Sequence, residues 1–184
     1  MSKDKRYISA DDLLADSLRL ARKVYESGFR PTHVVGVWRG GAPVGIAVQE
    51  YLDYRGIETN HLAVRTASYT GIDEQAHQVR VFGEGYLVDT LNAEDRLLIV
   101  DDVYDSGRSI QALQRVLREK CRRNYPGDVR VATVFYKPAR NRTDSVPDFF
   151  VEETDDWLVF SHELCGLTEA EIRAKGDVAT AVLD

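Results

Sequence analysis

Cysteine is scarce in this 184-residue chain: Cys121 and Cys165 are the only two. Two cysteines can form neither a disulfide framework nor a four-ligand zinc site on their own, and they suit two reduced thiols in a cytosolic chain. No stretch approaches the ~20 apolar residues that a membrane span needs. The charged start, Met1 to Arg6, has no apolar segment behind it, so no secretory signal is expected. Internal repeats, low-complexity tracts and linkers are lacking too. What is present, 43% hydrophobic and 29% charged residues, fits one globular domain with its own core. The net charge of −6 disfavours nucleic acid as a partner of the whole molecule, because the phosphate backbone demands positive charge.

That net charge is unevenly spread. Residues 106–142 carry 10 basic and 2 acidic side chains, a net of +8, whereas residues 143–184 carry 2 basic and 11 acidic, a net of −9. A basic block inside an acidic chain calls for an anion nearby, and the acidic last third is an available partner for it.

The apolar pattern alternates between two periods. Ser9 with Asp12 reads as a capping pair, followed by Leu13, Leu14, Leu18, Ala21, Val24 and Tyr25 at helical spacing and a stop at Gly28. His33–Trp38 reads as a buried strand, Arg39-Gly40-Gly41 as a break, and Ala42-Pro43 as the start of a second helix. A strand at 60–66 precedes a long polar loop at 67–85. Leu97–Val100 is the clearest strand. A helix follows, marked by Ile110, Leu113, Leu117 and Cys121, then strands at Val129–Tyr136, Phe149–Val151 and Trp157–Phe160, and a capped helix at Thr168–Lys175. Strands alternating with helices predict an α/β fold with a mostly parallel sheet, whose ligands bind at the carboxyl ends of the strands. Two junctions lie there: Trp38–Gly41 and Asp101–Ser109.

The second junction carries three Asp, two Ser and a Gly within nine positions, Asp101 to Ser109. One helix cap needs one such residue. Gly107 lets the backbone approach a ligand, the free N–H groups of the helix start favour an anion, and Ser106 and Ser109 add hydroxyls. Asp101 and Asp102 can hold two neighbouring sugar hydroxyls, or a metal ion through water. A phosphate cup beside a diol acceptor describes a ribose 5-phosphate. The Walker phosphate loop is absent, and so is a dinucleotide fingerprint at this junction.

This segment resembles the phosphoribosyl-diphosphate signature of type I phosphoribosyltransferases, in which two acids and two mostly apolar positions precede Asp-Thr/Ser-Gly and a hydroxyl residue. Asp-Ser-Gly stands here for the commoner Asp-Thr-Gly. The resemblance implies a twisted, mostly parallel sheet flanked by helices, with a small C-terminal hood: a core at about 7–140, the hood at about 141–163, and an extension at 164–184. It implies that Asp101 and Asp102 bind the ribose hydroxyls, that Asp105, Ser106, Gly107, Arg108 and Ser109 bind the 5-phosphate, and that Asp105 is the general base in the purine branch. Arg39-Gly40-Gly41 is similar to the family's pyrophosphate loop, often entered through a cis peptide, here Trp38–Arg39.

The last third is similar to the 6-oxopurine branch, and Tyr7-Ile8-Ser9 before the first helix extends that likeness. Lys137 stands where a lysine donates to the purine O6, Trp157 where an aromatic stacks on the ring, and Leu158 where a backbone carbonyl reads the C2 substituent. Glu163 stands, in place of the usual Asp, where an acid binds metal beside Asp101 and Asp102, which implies Mg²⁺. A lysine ammonium donates and cannot accept, so it selects a 6-oxo over a 6-amino group. Ser68-Tyr69 occupies the place of the mobile catalytic loop, flanked by Arg65 and Arg80. The resemblance implies a cytoplasmic homodimer or homotetramer that transfers 5-phosphoribosyl from phosphoribosyl diphosphate to a purine base. Two alternatives stay open: a nucleotide-sensing regulator of the same fold, and a phosphoribosyltransferase for another base such as orotate.

Overall fold

Leu97, Leu98, Ile99 and Val100 are fully buried, as a continuous apolar run covered on both faces should be. The protein is described here by a computed structural model, which covers residues 5–70, 77–176 and 183, with the backbone alone for 68–70, 77 and 78. The elements run β1 (Lys5–Ile8), α1 (Ala10–Glu26), β2 (His33–Trp38), α2 (Gly41–Tyr54), β3 (Asn60–Thr70), β4 (His77–Phe82), α3 (Gly85–Thr90), β5 (Arg96–Tyr104), α4 (Arg108–Cys121), β6 (Asp128–Tyr136), β7 (Phe149–Glu153), β8 (Trp157–Phe160) and α5 (Glu169–Ala174).

Six strands form one sheet in the order β4-β3-β2-β5-β6-β7, and β1 pairs with β8 in a second, two-stranded sheet. All pairings are parallel except β3 with β4. Successive β5 side chains face opposite layers. Leu98 and Val100 join Leu20, Val24, Val48 and Leu52 from α1 and α2, whereas Leu97 and Ile99 join Leu87, Ile110, Leu113 and Leu117 from α3 and α4. The Ser9 hydroxyl caps α1 by accepting from the Asp12 N–H at 3.0 Å.

From β2 the chain turns through α2 to β3 on one side, and from β5 through α4 to β6 on the other. Strand order therefore reverses between β2 and β5, and a crevice opens at their carboxyl ends. Both predicted junctions end there.

Three expectations need correction. Residues 67–85 are not one polar loop: β3 runs on to Thr70 and returns antiparallel through β4, and α3 follows from Gly85. β4 is the sheet edge and its apolar pattern is short; among the described side chains of 67–85 Val79 is the buried one. The hood does not begin at 141, because β7 extends the main sheet beside β6, and its second strand comes from the other end of the chain, β1. The acidic last third finds its partners there: Arg6 pairs with Glu152 and Asp156, and Lys5 with Glu171.

Candidate active site

Asp101 and Asp102 close β5 against the turn that follows β2. A Cβ on Gly40 would lie 1.8 Å from Asp102 Oδ2, and one on Gly41 would lie 2.5 Å from the Val100 carbonyl and 2.9 Å from Asp101 Oδ1. Only glycine lets the two junctions meet. The Trp38–Arg39 peptide is cis, as the resemblance implies, and the Arg39 side chain is exposed to solvent.

Burial pushes the Asp101 carboxyl well above the usual range, with the neighbouring Asp102 charge acting the same way and hydrogen bonds from the Asp102 and Gly41 amides opposing it. Asp102 is also raised by burial, against its hydrogen bond with Asp101 and the charge of His162. His162 Nε2 stands 3.6 Å from Asp102 Oδ2, its ring stacked on Phe160. Two crowded carboxylates that resist ionisation together form a seat for donors or for a cation.

At the next turn Gly107 has φ +76° and caps α4 without a side-chain bond. A Cβ there would lie 2.6 Å from the Tyr104 hydroxyl and 2.7 Å from Thr143 Oγ1, which are joined to each other at 2.9 Å. Ser106, Gly107, Arg108 and Ser109 thus wrap the first turn of α4, where the leading amides have no intrahelical acceptor. The Arg142 N–H donates to the Ser106 carbonyl at 3.0 Å and holds the 137–145 segment over this loop.

Asp105 lies where that segment crosses. Lys137 is buried, and its Nζ is 3.6 Å from Asp105 Oδ2; Arg140 Nε is 2.9 Å from Asp105 Oδ1. The backbone joins in, since the Lys137 N–H donates to the Tyr104 carbonyl at 2.9 Å. Register does the rest: Tyr104 and Tyr136 are partners across β5 and β6, so the residues that follow them emerge side by side. Trp157 is 54% exposed and sits beside Lys5, whose Nζ is 5.8 Å from the ring centroid, whereas Leu158 is buried.

Glu163 lies near enough to Asp102 for its charge to raise that carboxyl, and it also ties the bend after β8. Its Oε2 accepts from the Phe160 N–H at 3.0 Å, and among the described residues no three His, Cys, Asp or Glu side chains are gathered as a ligand set. Asp101 and Asp102 are the carboxylates that crowd together here. Backbone at Ser68 and Tyr69 belongs to β3, and their side chains lie outside the described residues. Arg65 lies over the Phe82 ring at 5.5 Å. The basic block also divides: Lys137 and Arg140 reach the site, while Lys120 pairs with Glu84 and Arg130 with Asp128 elsewhere.

Arg140 and His162 were not anticipated from the sequence. Arg140 closes the Pro138–Arg140 3-10 turn that begins just after Lys137, and the sequence shows only its basic charge near that lysine. His162 had no such signal.

A family model described as the phosphoribosyl transferase domain matches residues 9–167. The chain belongs to this family. Its sequence is 27% identical to the hypoxanthine-guanine phosphoribosyltransferase of Lactococcus lactis subsp. lactis (strain IL1403) over 149 residues, 79% of this chain and 74% of that one. Among solved structures, a Neisseria gonorrhoeae protein with bound ppGpp superposes with a TM-score of 0.74 at 20% identity, covering 95% of this chain and 97% of that one. A purine phosphoribosyltransferase from Pyrococcus horikoshii Ot3 gives 0.69 at 23%, over 90% and 97%. A Helicobacter pylori xanthine-guanine-hypoxanthine phosphoribosyltransferase gives 0.66 at 22%, over 85% and 92%. These structural likenesses establish the fold, and family membership rests on the sequence match. Among the described residues no helix is long and apolar enough to cross a membrane.

Proposed function

We propose that the protein is a purine salvage enzyme that transfers the 5-phosphoribosyl group from phosphoribosyl diphosphate to N9 of a 6-oxopurine, releasing diphosphate. The observation that carries this reading is the convergence of buried Lys137 on Asp105 beside the Ser106–Ser109 cup. A donor for O6 and an acceptor for a ring proton then stand at one edge of the same base, next to a seat for the sugar phosphate. The Lactococcus lactis relative bears the name of this reaction.

The proposed roles follow the geometry. The loop amides of 106–109 and the Ser hydroxyls hold the 5-phosphate. Asp101 and Asp102 hold the ribose hydroxyls, and Arg39 with the Gly40-Gly41 backbone faces the leaving diphosphate. As the C1–O bond to diphosphate breaks, the purine N9 bonds to C1 and the N7 proton passes to Asp105. Lys137 donates to O6, Trp157 covers the ring face and Leu158 presents its carbonyl. Asp101 and Asp102 also fit Mg²⁺, which is often held by one or two carboxylates together with substrate phosphates. When bound, the ion supplies positive charge against the diphosphate.

Two free cysteines suit a cytoplasmic location. Exposed Trp38 and Ile46, bordering a cleft of about 290 Å³ between α2 and β3, support a homodimer or homotetramer. Initial rates with phosphoribosyl diphosphate, Mg²⁺ and each of hypoxanthine, guanine, xanthine and adenine test the whole reading. Turnover is expected with one or more 6-oxopurines and far less with adenine. A purine-nucleotide sensor of the same fold, for which the ppGpp-bound Neisseria gonorrhoeae protein is the relevant neighbour, would turn over none of them.

A further inference from the structure

Residues 164–184 take no part in the chemistry above, yet the described part of this extension is tied to the hood at two points. Thr168 and Glu171 close a capping box at the start of α5, and Ile172 packs inward. Glu171 pairs with Lys5 of β1. Just past the helix, the half-buried Lys175 turns its ammonium into the bend that follows β8. Nζ donates to the carbonyls of Phe160 at 2.7 Å and Ser161 at 3.2 Å, and to that of Glu163.

An ammonium has three donors and no acceptor, so these three carbonyls use its whole capacity. The bend is tight: the Glu163 N–H donates to the Phe160 carbonyl at 3.0 Å, and the Glu163 carboxylate accepts from the Phe160 N–H at 3.0 Å. Carbonyl oxygens gathered about one point repel each other unless a cation sits among them, and an ammonium there offsets that repulsion. Lys175 adds three bonds to the two between Phe160 and Glu163 that close the bend. On one side of the bend lies Leu158, and within it lies His162, 3.6 Å from Asp102. The bend thus spans the gap between the base face and the ribose seat.

We propose that Lys175 is a positioning residue for the purine: it holds the 160–163 bend so that the β8 carbonyls meet the base at the correct depth. This rests on reading Trp157 and Leu158 as the base-binding face. Sub-ångström placement of a base-reading backbone matters, because small displacements carry large kinetic penalties. Lysine suits the task, being a compact point donor on a long stem.

Lys175→Met keeps the stem and removes the charge. It is expected to raise the KM for the 6-oxopurine about tenfold, with a clearly smaller rise for phosphoribosyl diphosphate, which meets the bend only through His162 and Asp102. Amide hydrogen exchange across 159–164 should quicken in the same variant, with no ligand present. Lys175→Gln, which keeps polarity at the same place, should shift both readouts less and in the same direction. Arg173→Ala removes only the exposed pair with Glu169 and should alter neither. An unchanged base KM, an equal rise for both substrates, or wild-type exchange in the bend would each overturn the proposal. If the wild-type protein turns over no purine, the enzymatic reading fails, while hydrogen exchange still judges whether Lys175 holds the bend.

Discussion

Arg140 Nε lies 2.9 Å from one carboxylate oxygen of Asp105, while Lys137 Nζ stands 3.6 Å from the other. The carboxylate is held between two cations of different kinds, one on an exposed side chain and one on a buried side chain. Arg140 fixes the orientation of the carboxylate, and in the proposed reaction Lys137 serves both Asp105 and the base. Asp105→Asn should keep donor binding and lower kcat by about 10²-fold or more. Arg140→Ala, which leaves the carboxylate present but less well aimed, should cost about tenfold. A normal kcat in Asp105→Asn would show that the base is another group.

In the proposed reaction Lys137 distinguishes purines by donating to O6. Lys137→Met should lower kcat/KM for 6-oxopurines by about 10²-fold or more while changing the adenine rate little, so that selectivity collapses. Competition assays with a 6-oxopurine and adenine in one tube read this directly. Retained discrimination would move O6 recognition to another donor.

Gly40 and Gly107 are steric requirements. Gly40→Ala would put a methyl group into the Asp102 carboxylate, so the expected result is at least a tenfold loss of affinity for phosphoribosyl diphosphate with a normal circular dichroism spectrum. Gly107→Ala meets Tyr104 and Thr143 as well as a left-handed φ, and should lose about 1–3 kcal/mol of stability in urea titrations. An alanine at 107 with wild-type stability would mean that the 137–145 segment yields easily.

The acid side of the stability profile should report on α5. The Lys5 ammonium, with the Thr168 N–H, pulls the Glu171 carboxyl down from its ordinary 4.5 to about 2. A depressed carboxyl contributes stability that is complete above pH 4.5 and fades as the pH falls through about 2. Glu171→Gln should therefore melt below the wild type at neutral pH, with the gap narrowing as the pH drops from 4.5 toward 2. A gap of constant width would assign the difference to packing.

Burial acts in the same pH direction on His33, whose pKa it lowers while Asp95 at 3.7 Å opposes it. The folded protein favours the neutral ring, so this contribution is present above the ordinary 6.5 and is lost as the pH falls below it. Replacing His33 with Phe should flatten the change in melting temperature between pH 7 and pH 5. An unflattened slope would point to another group.

Much of the site was legible because it is local. The Asp101–Ser109 run holds its acids, glycine and hydroxyls within one strand-to-helix turn, where chain geometry alone dictates which groups face the ligand. The buried run at 97–100 announced the strand that carries it, and Ser9 and Thr168 announced their helices through side-chain caps. The 67–85 ribbon was harder to read because its apolar alternation is confined to Val79 and Val81 on either side of Arg80, too short to announce two paired strands.

Sequence by itself determined the α/β order and the strand-to-helix turn at Asp101–Ser109, since each depends on neighbours a few positions apart, whereas Lys137 and Trp157 were singled out by resemblance. Tertiary structure alone decided which of them act together. Adjacency of β2 and β5 presses Gly40 and Gly41 against Asp101 and Asp102, and adjacency of β5 and β6 delivers Lys137 and Arg140 to Asp105. The acidic last third turned out to pair with Lys5 and Arg6 of β1, which composition could not foretell, because charge finds its partner through space and the two ends of a chain meet only once the sheet is built. Glu163 and Lys175 make the same point at the scale of one bend: the carboxylate accepts the Phe160 amide, and a lysine outside every motif donates to three of the bend's carbonyls.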